Sequence, residues 1–129
     1  MAAALGRLKR RSEFLRVAAA GRKWATPGLV LQARQRASTE GGMKAEQAAR
    51  VGFTASKRVG NAVARNRAKR RLRAVAAEVL PLYAAPGHDY VVIGRQATLD
   101  RDWDDLKGDL EQALRRIGAS VAKGDRART

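Results

Sequence analysis

The stretch Arg50–Arg73, RVGFTASKRVGNAVARNRAKRRLR, changes period at its midpoint. In the first half Val51, Phe53 and Ala55 alternate with Gly52, Thr54 and Ser56, the two-residue repeat of a β-strand. From about Asn61 there is neither glycine nor proline until Pro81, which predicts one long helix. Between Lys57 and Arg73 stand eight basic residues and no acidic one. At 3.6 residues per turn, Ala64, Ala68, Leu72, Val75, Ala76 and Val79 make one apolar stripe. Arg65, Lys69 and Arg73 follow one shoulder of it at i, i+4 and i+8, and Asn66 and Arg70 widen that shoulder into a polar face. Like charges four residues apart cost an isolated helix about 0.2–0.5 kcal/mol per pair. A solvated surface helix normally intersperses Glu and Asp among such cations. The basic face between Lys57 and Arg73 has none, so the pattern points to a polyanion, and nucleic acid is the favoured one.

Ser56-Lys57-Arg58-Val59-Gly60-Asn61-Ala62-Val63, followed by Arg65-Asn66-Arg67 and Lys69-Arg70, resembles the signature of the bacterial ribonuclease P protein component. The Arg-Asn-Arg box with its trailing basic pair is specific in this setting of strand, glycine turn and helix. The similarity extends from Leu8 to about Ile117, leaving the middle loop and both ends unmatched. One departure is Ala68, where the family more often carries a larger aliphatic residue.

Composition sets bounds on the whole chain. Its 129 residues suit one domain with a modest core, ordered over about 7–118 with a basic flexible tail at 119–129. The formal net charge of +15 calls for a polyanionic partner. Absence of cysteine removes disulfides, thiolate metal sites and a Cys nucleophile. No apolar run approaches the roughly 20 residues that span a bilayer, and no membrane partner is expected. The start lacks the apolar core of a secretory signal, so the expected location is cytoplasmic.

A first helix is expected over Ser12–Ala20, ended by Gly21, with Leu8, Phe14 and Val17 as the larger apolar residues nearby. Two strands follow, Arg22–Thr26 and Gly28–Gln35, broken by Pro27. Leu29 and Leu31 alternate with Val30 and Gln32, as in a sheet covered on one face and partly on the other. Arg36–Ala49, with Gly41-Gly42 at its tip, reads as the loop of an elongated hairpin joining the second strand to the third. After the central helix, Asp89–Arg95 reads as an internal strand parallel to the third. His88, the only histidine, is expected in a turn. The last helix, about Asp102–Gly118, carries the stripe Trp103, Leu106, Leu110, Leu114 and Ile117. Asp100, Asp102, Asp104 and Asp105 crowd its start, where the helix dipole favours negative charge; capping accounts for them better than metal binding.

The expected fold is α+β: a two-layer sandwich ordered helix–strand–strand–strand–helix–strand–helix, with a four-stranded mixed sheet. A strand–helix–strand crossover is right-handed in about 98% of cases; the family resemblance implies the uncommon left-handed one. It also implies the protein subunit of a ribonucleoprotein endonuclease that removes the 5′ leader from precursor tRNA. Chemistry would reside on the catalytic RNA with its Mg2+, and no small-molecule ligand is expected. By the same resemblance Arg65, Arg67, Lys69 and Arg70 would contact the catalytic RNA, with Arg73 extending the surface. Asn66 would bond either RNA or the helix's own surroundings. Lys57, Arg58 and Asn61 lie at the helix start, where phosphates meet lysine charge and backbone N–H groups.

The single-stranded leader would lie in a cleft walled by the first helix. Phe14, Val30, Gln32 and Phe53 are the cleft candidates. Phe14 matches an aromatic position of the family, though as an apolar helix residue it serves a core equally well. Ala18 and Gln32 stand where the family often has rings. Phe53 shares a face with Val51, which favours the core over the cleft. Two rivals remain: a general RNA-binding module, which would not confer leader cleavage on the catalytic RNA, and a stand-alone metal nuclease, for which no carboxylate or His cluster is evident.

Overall fold

A computed structural model describes residues 5–20, 22–36 and 49–117. Along the chain run β1 (Leu5–Arg7), α1 (Arg11–Ala19), β2 (Arg22–Ala25), β3 (Leu29–Gln35), β4 (Ala49–Ala55), α2 (Ala62–Tyr83), β5 (His88–Gly94) and α3 (Trp103–Ile117). Single 3-10 turns occupy Lys57–Val59 and Gln96–Leu99. Residues 37–48 of the glycine-tipped loop, Gly21, Gly118 and the expected tail lie outside the described residues.

The alternation in β3 works as its sequence implies. Leu29, Leu31 and Ala33 are fully buried, while Val30 and Gln32 on the other face are half-buried. With Ala49, Val51, Tyr90 and Val92 they face α2 and α3, which contribute Leu72, Val75, Ala76, Val79 and Leu80, and Leu106, Leu110, Ala113 and Leu114. Each fully buried leucine is worth about 1.5–3 kcal/mol relative to exposure, so this layer is the main source of stability. On the opposite face a smaller cluster joins Leu8, Val17 and Val91, with Phe14 and Ile93 packed against it. The two-layer expectation therefore holds for α2 and α3 and fails for α1, which covers part of the second sheet face.

The sheet has five strands in the order β1-β4-β5-β3-β2. The expected four gain β1, whose three residues pair in parallel with Ala49–Val51 of β4 and precede the first helix. β4 and β5 are parallel, as expected, and enclose α2 as the crossover. The expected hairpin between β3 and β4 does not form. β5 enters between them, antiparallel to β3 from Leu29↔Gly94 to Gln35↔His88. β5 thereby fills both of its hydrogen-bonding edges, and its continuous apolar run Tyr90–Ile93 takes the most enclosed position.

Two short contacts set where α2 begins and how closely it lies. Gly60 has φ +142°, a conformation open to glycine, and a Cβ there would meet the Ala64 Cβ at 3.0 Å. Ala68 is fully buried over Gly94, where an added Cβ would meet the Ala68 Cβ at 3.3 Å. A larger residue at Ala68 would lift the basic end of the helix from the sheet. At its far end α2 continues past Pro81 to Tyr83, with the Ala84 N–H bonded to the Leu80 carbonyl.

Candidate nucleic-acid interface

Asn61 opens α2: its Oδ1 accepts the Ala64 N–H at 2.9 Å, an N-cap that satisfies one of the helix's unbonded donors. This places the Arg-Asn-Arg box on the first turns. Asn66, Arg67, Arg70 and Arg73 are exposed, whereas Arg65 and Lys69 are half-buried along the shoulder. Arg65 Nη1 donates to the Gly60 carbonyl at 3.2 Å, and Arg73 lies 6.0 Å from the centre of the Phe53 ring. The side chains of Lys57, Arg58, Arg67, Lys69 and Arg70 make no hydrogen bond or ion pair among the described residues. Their charge is thus uncompensated within the described fold.

Arg71, in the middle of this run, has a different fate. Its Nη1 donates to the carbonyls of Thr98 and Leu99, and its Nη2 to that of Arg101. It holds the turn between β5 and α3, one helical step away from the free Arg70. No sequence signal separates the two, because the separation depends on which carbonyls lie beside each.

The second sheet face carries two adjoining hollows. One, of about 350 Å3, is bordered by Arg11, Phe14, Leu15, Ala18, Gln32, Phe53, Thr54 and Val91. The other, of about 500 Å3, has Val30 and Ile93 at its floor and Ser56, Arg58 and Arg95 on its sides. Gln32 pairs with Val91 and Val30 with Ile93, two residues apart on β3 and β5, so the floors are neighbours on one strand pair. An apolar trough with cations at its borders results. Of the cleft candidates, Phe14, Gln32 and Phe53 meet at the first hollow and Val30 lies in the second. Phe53 also packs against the core under α2. Leu15, Val91, Ile93 and Arg95 border the trough without having been singled out in the sequence; the run Tyr90–Ile93 is apolar throughout, so no alternation marks which of its residues face the trough.

Phe14 reaches the trough because β4 has no side chain beneath it: a Cβ at Gly52 would overlap the ring. The start of α1 is held by Glu13. Its Oε1 accepts the N–H groups of Lys9 and Arg10 at 2.8 and 2.9 Å, and its Oε2 accepts Arg50 Nη1 at 3.0 Å. The Arg10 and Lys9 N–H groups, with smaller help from Arg50, hold this carboxyl below its ordinary pKa. Beyond it, Arg50 forks onto buried Asp89 at 2.8 and 2.7 Å, and Arg36 joins the same carboxylate at 2.6 Å.

Asp104 and Asp105 lie in the first turn of α3. Among the described residues no three His, Asp or Glu side chains gather in an arrangement able to hold a metal ion. Among the described residues, too, no helix is long and apolar enough to cross a membrane. His88 begins β5, with Nδ1 3.0 Å from the Pro86 carbonyl oxygen and its ring stacked near that of Tyr90.

A basic helix with uncompensated side chains on one face of the sheet and an apolar trough on the other define an α+β protein suited to RNA. The family model for ribonuclease P matches residues 3–118, and the chain belongs to that family, whose members are protein subunits of a tRNA-processing endoribonuclease. It is 57% identical over 119 residues to the ribonuclease P protein component of Paramagnetospirillum magneticum, covering 92% of this chain and 87% of that one. The component from Ruegeria pomeroyi is 51% identical, with 87% and 86% covered. Among solved structures, the RNase P protein of Staphylococcus aureus matches with a TM-score of 0.66 at 26% identity, over 88% of this chain and 95% of that one.

Proposed function

We propose that this chain acts as one RNA-binding domain that holds the 5′ leader of precursor tRNA in the trough while α2 rests on the catalytic RNA of ribonuclease P. The observation that carries the reading is that one sheet bears the α2 cations on one face and the Phe14-bordered hollow on the other, linked through Phe53, which borders the hollow and has Arg73 6.0 Å from its ring centre. Unpaired bases stack on exposed rings for about 1–3 kcal/mol each, and Phe14 is positioned to supply one such ring. The apolar floor of Val30, Val91 and Ile93 accepts base faces, and Gln32 offers hydrogen bonds to base edges. Arg67 and Arg70 project from α2 as phosphate contacts, Lys69, Arg65 and Arg73 flank them, and Lys57 and Arg58 extend the surface towards the trough. Asn61 serves chiefly as the cap that starts the helix.

In this reading the protein performs no bond-breaking step. Mg2+ bound by the catalytic RNA and substrate supplies activation of water and stabilisation of the leaving oxygen. The protein's cations lessen repulsion between two polyanions, so less metal is needed for assembly. The assignment brings with it a cytoplasmic location and the left-handed sense of the β4–α2–β5 crossover that the family implies.

Reconstitution with catalytic RNA tests the reading. At low Mg2+, adding the chain is expected to restore correct 5′ cleavage and to tighten binding of precursor tRNA more than that of mature tRNA. Binding both equally, with no gain in cleavage, would leave only a general RNA-binding module.

A further inference from the structure

The position of α1 rests on few contacts. It has nine residues, and Val17 is its only fully buried side chain. A helix this short does not persist on its own, so its angle to the sheet is set by what grips it. Val17 and Phe14 hold one side. At the start, the grip is Glu13, which ties the N–H groups of Lys9 and Arg10 to Arg50 on β4. Arg50 is itself immobilised by two parallel bonds to Asp89 on β5, whose side chain is 2% exposed. Asp89 is clamped in turn by Arg36, at the end of β3, and Arg36 also donates to the His88 carbonyl. Three strands are thus joined to the first turn of α1 by one chain of charge-assisted bonds, which are shorter and stronger than neutral ones.

Glu13 and Arg50 are not among the side chains bordering the trough, yet Glu13 immediately precedes Phe14, and Arg11, Phe14, Leu15 and Ala18 of the same helix form its wall. From this geometry we infer that Glu13 and Arg50 are positioning residues, which set the pitch of α1 and so hold the Phe14 ring where a leader base can stack. The inference rests on the leader-binding reading and adds to it the device that shapes the site.

Glu13→Gln is the informative substitution, since the amide oxygen still accepts the Lys9 and Arg10 N–H groups while the charge that holds Arg50 is gone. Arg50→Lys is the companion, keeping the charge and losing the fork. Each is reconstituted with catalytic RNA and titrated with precursor tRNA and with leaderless tRNA, beside wild type and Glu78→Gln, which alters a remote pair with Lys107. Loss of stacking geometry predicts about five- to tenfold weaker precursor binding, with leaderless tRNA and catalytic RNA bound as before. Amide exchange across Leu15–Ala18 of the folded protein is expected to accelerate in both variants. A purely structural role would lower both affinities together and leave their ratio unchanged; that result overturns the inference. A wild-type protein with no preference for the leader overturns the leader-binding reading itself, and the inference with it.

Discussion

The ring of Phe14 lies on the bare backbone of Gly52, and Leu8 closes the same spot, 3.1 Å from where a Gly52 Cβ would sit. The α1 wall and the sheet floor can approach each other because β4 offers no side chain at this point. Gly52→Ala forces the ring outward into the hollow, and overpacking of this kind costs about 1–3 kcal/mol. Urea denaturation is expected to show that loss, and precursor tRNA binding to weaken beyond what the unfolded fraction accounts for. Unchanged stability would mean that α1 can retreat without cost.

Phe14→Ala separates the ring's two duties. A stacking platform predicts precursor affinity lower by about 1–3 kcal/mol, with mature tRNA unaffected. A core residue predicts a stability loss of about 3–5 kcal/mol that harms both ligands. The half-buried ring borders the hollow while packing on Leu8, Val17 and Val91, so both effects are expected, the first measured in the folded fraction. Ala18→Phe, placed on the same wall, is expected to tighten leader binding selectively. Tightening of neither ligand by a folded Ala18→Phe protein would argue for a purely electrostatic site.

Neighbouring arginines on α2 should behave oppositely. Arg67→Ala and Arg70→Ala are expected to reduce the dependence of RNA affinity on salt by about 0.7–0.9 per lost phosphate contact, with unchanged circular dichroism and melting. Arg71→Ala removes a donor from three carbonyls and is expected to lower the melting temperature, with the salt slope nearly unaltered. Equal slopes in wild type, Arg67→Ala and Arg70→Ala would take this face of the helix out of the interface.

Burial under α2 and α3 pushes the Tyr90 phenol up to about 12, opposed by the Ala85 N–H that its oxygen accepts at 2.8 Å. An unfolded tyrosine ionises near pH 10. Between about 10 and 12 the unfolded chain therefore loses a proton that the folded chain keeps. Tyr90's contribution to stability is complete below that window and declines as pH rises through it. Tyr90→Phe is expected to remove this part of the alkaline slope and to cost about 1–3 kcal/mol at neutral pH, because the Ala85 N–H loses that acceptor. Parallel urea titrations of the two proteins at pH 9 and 11 measure the difference; identical slopes would place the phenol in contact with solvent.

Local order is largely legible in the sequence itself. The absence of glycine and proline after Asn61 marked α2, the stripe from Trp103 to Ile117 marked α3, and the alternation Leu29–Gln32 marked both the strand and its better-covered face. The Arg-Asn-Arg box located the cationic surface because helical rotation alone decides which of its residues share a face.

What the tertiary structure decided are the relations between segments distant in sequence. β5 separates β3 from β4 because a strand's apolar pattern specifies the face it buries and leaves its neighbour open. β1 was invisible because three residues carry too short a pattern to register as a repeat. Phe53 borders the trough and also meets the core, since β4 is unpaired by β1 beyond Val51 and its outer edge is open there. Arg70 stays free while Arg71 is consumed, and Arg50 becomes the link between α1 and Asp89, for one physical reason. A guanidinium's role depends on which carbonyls and carboxylates lie within about 3 Å of it, and those partners come from strands and turns 27 to 39 residues away.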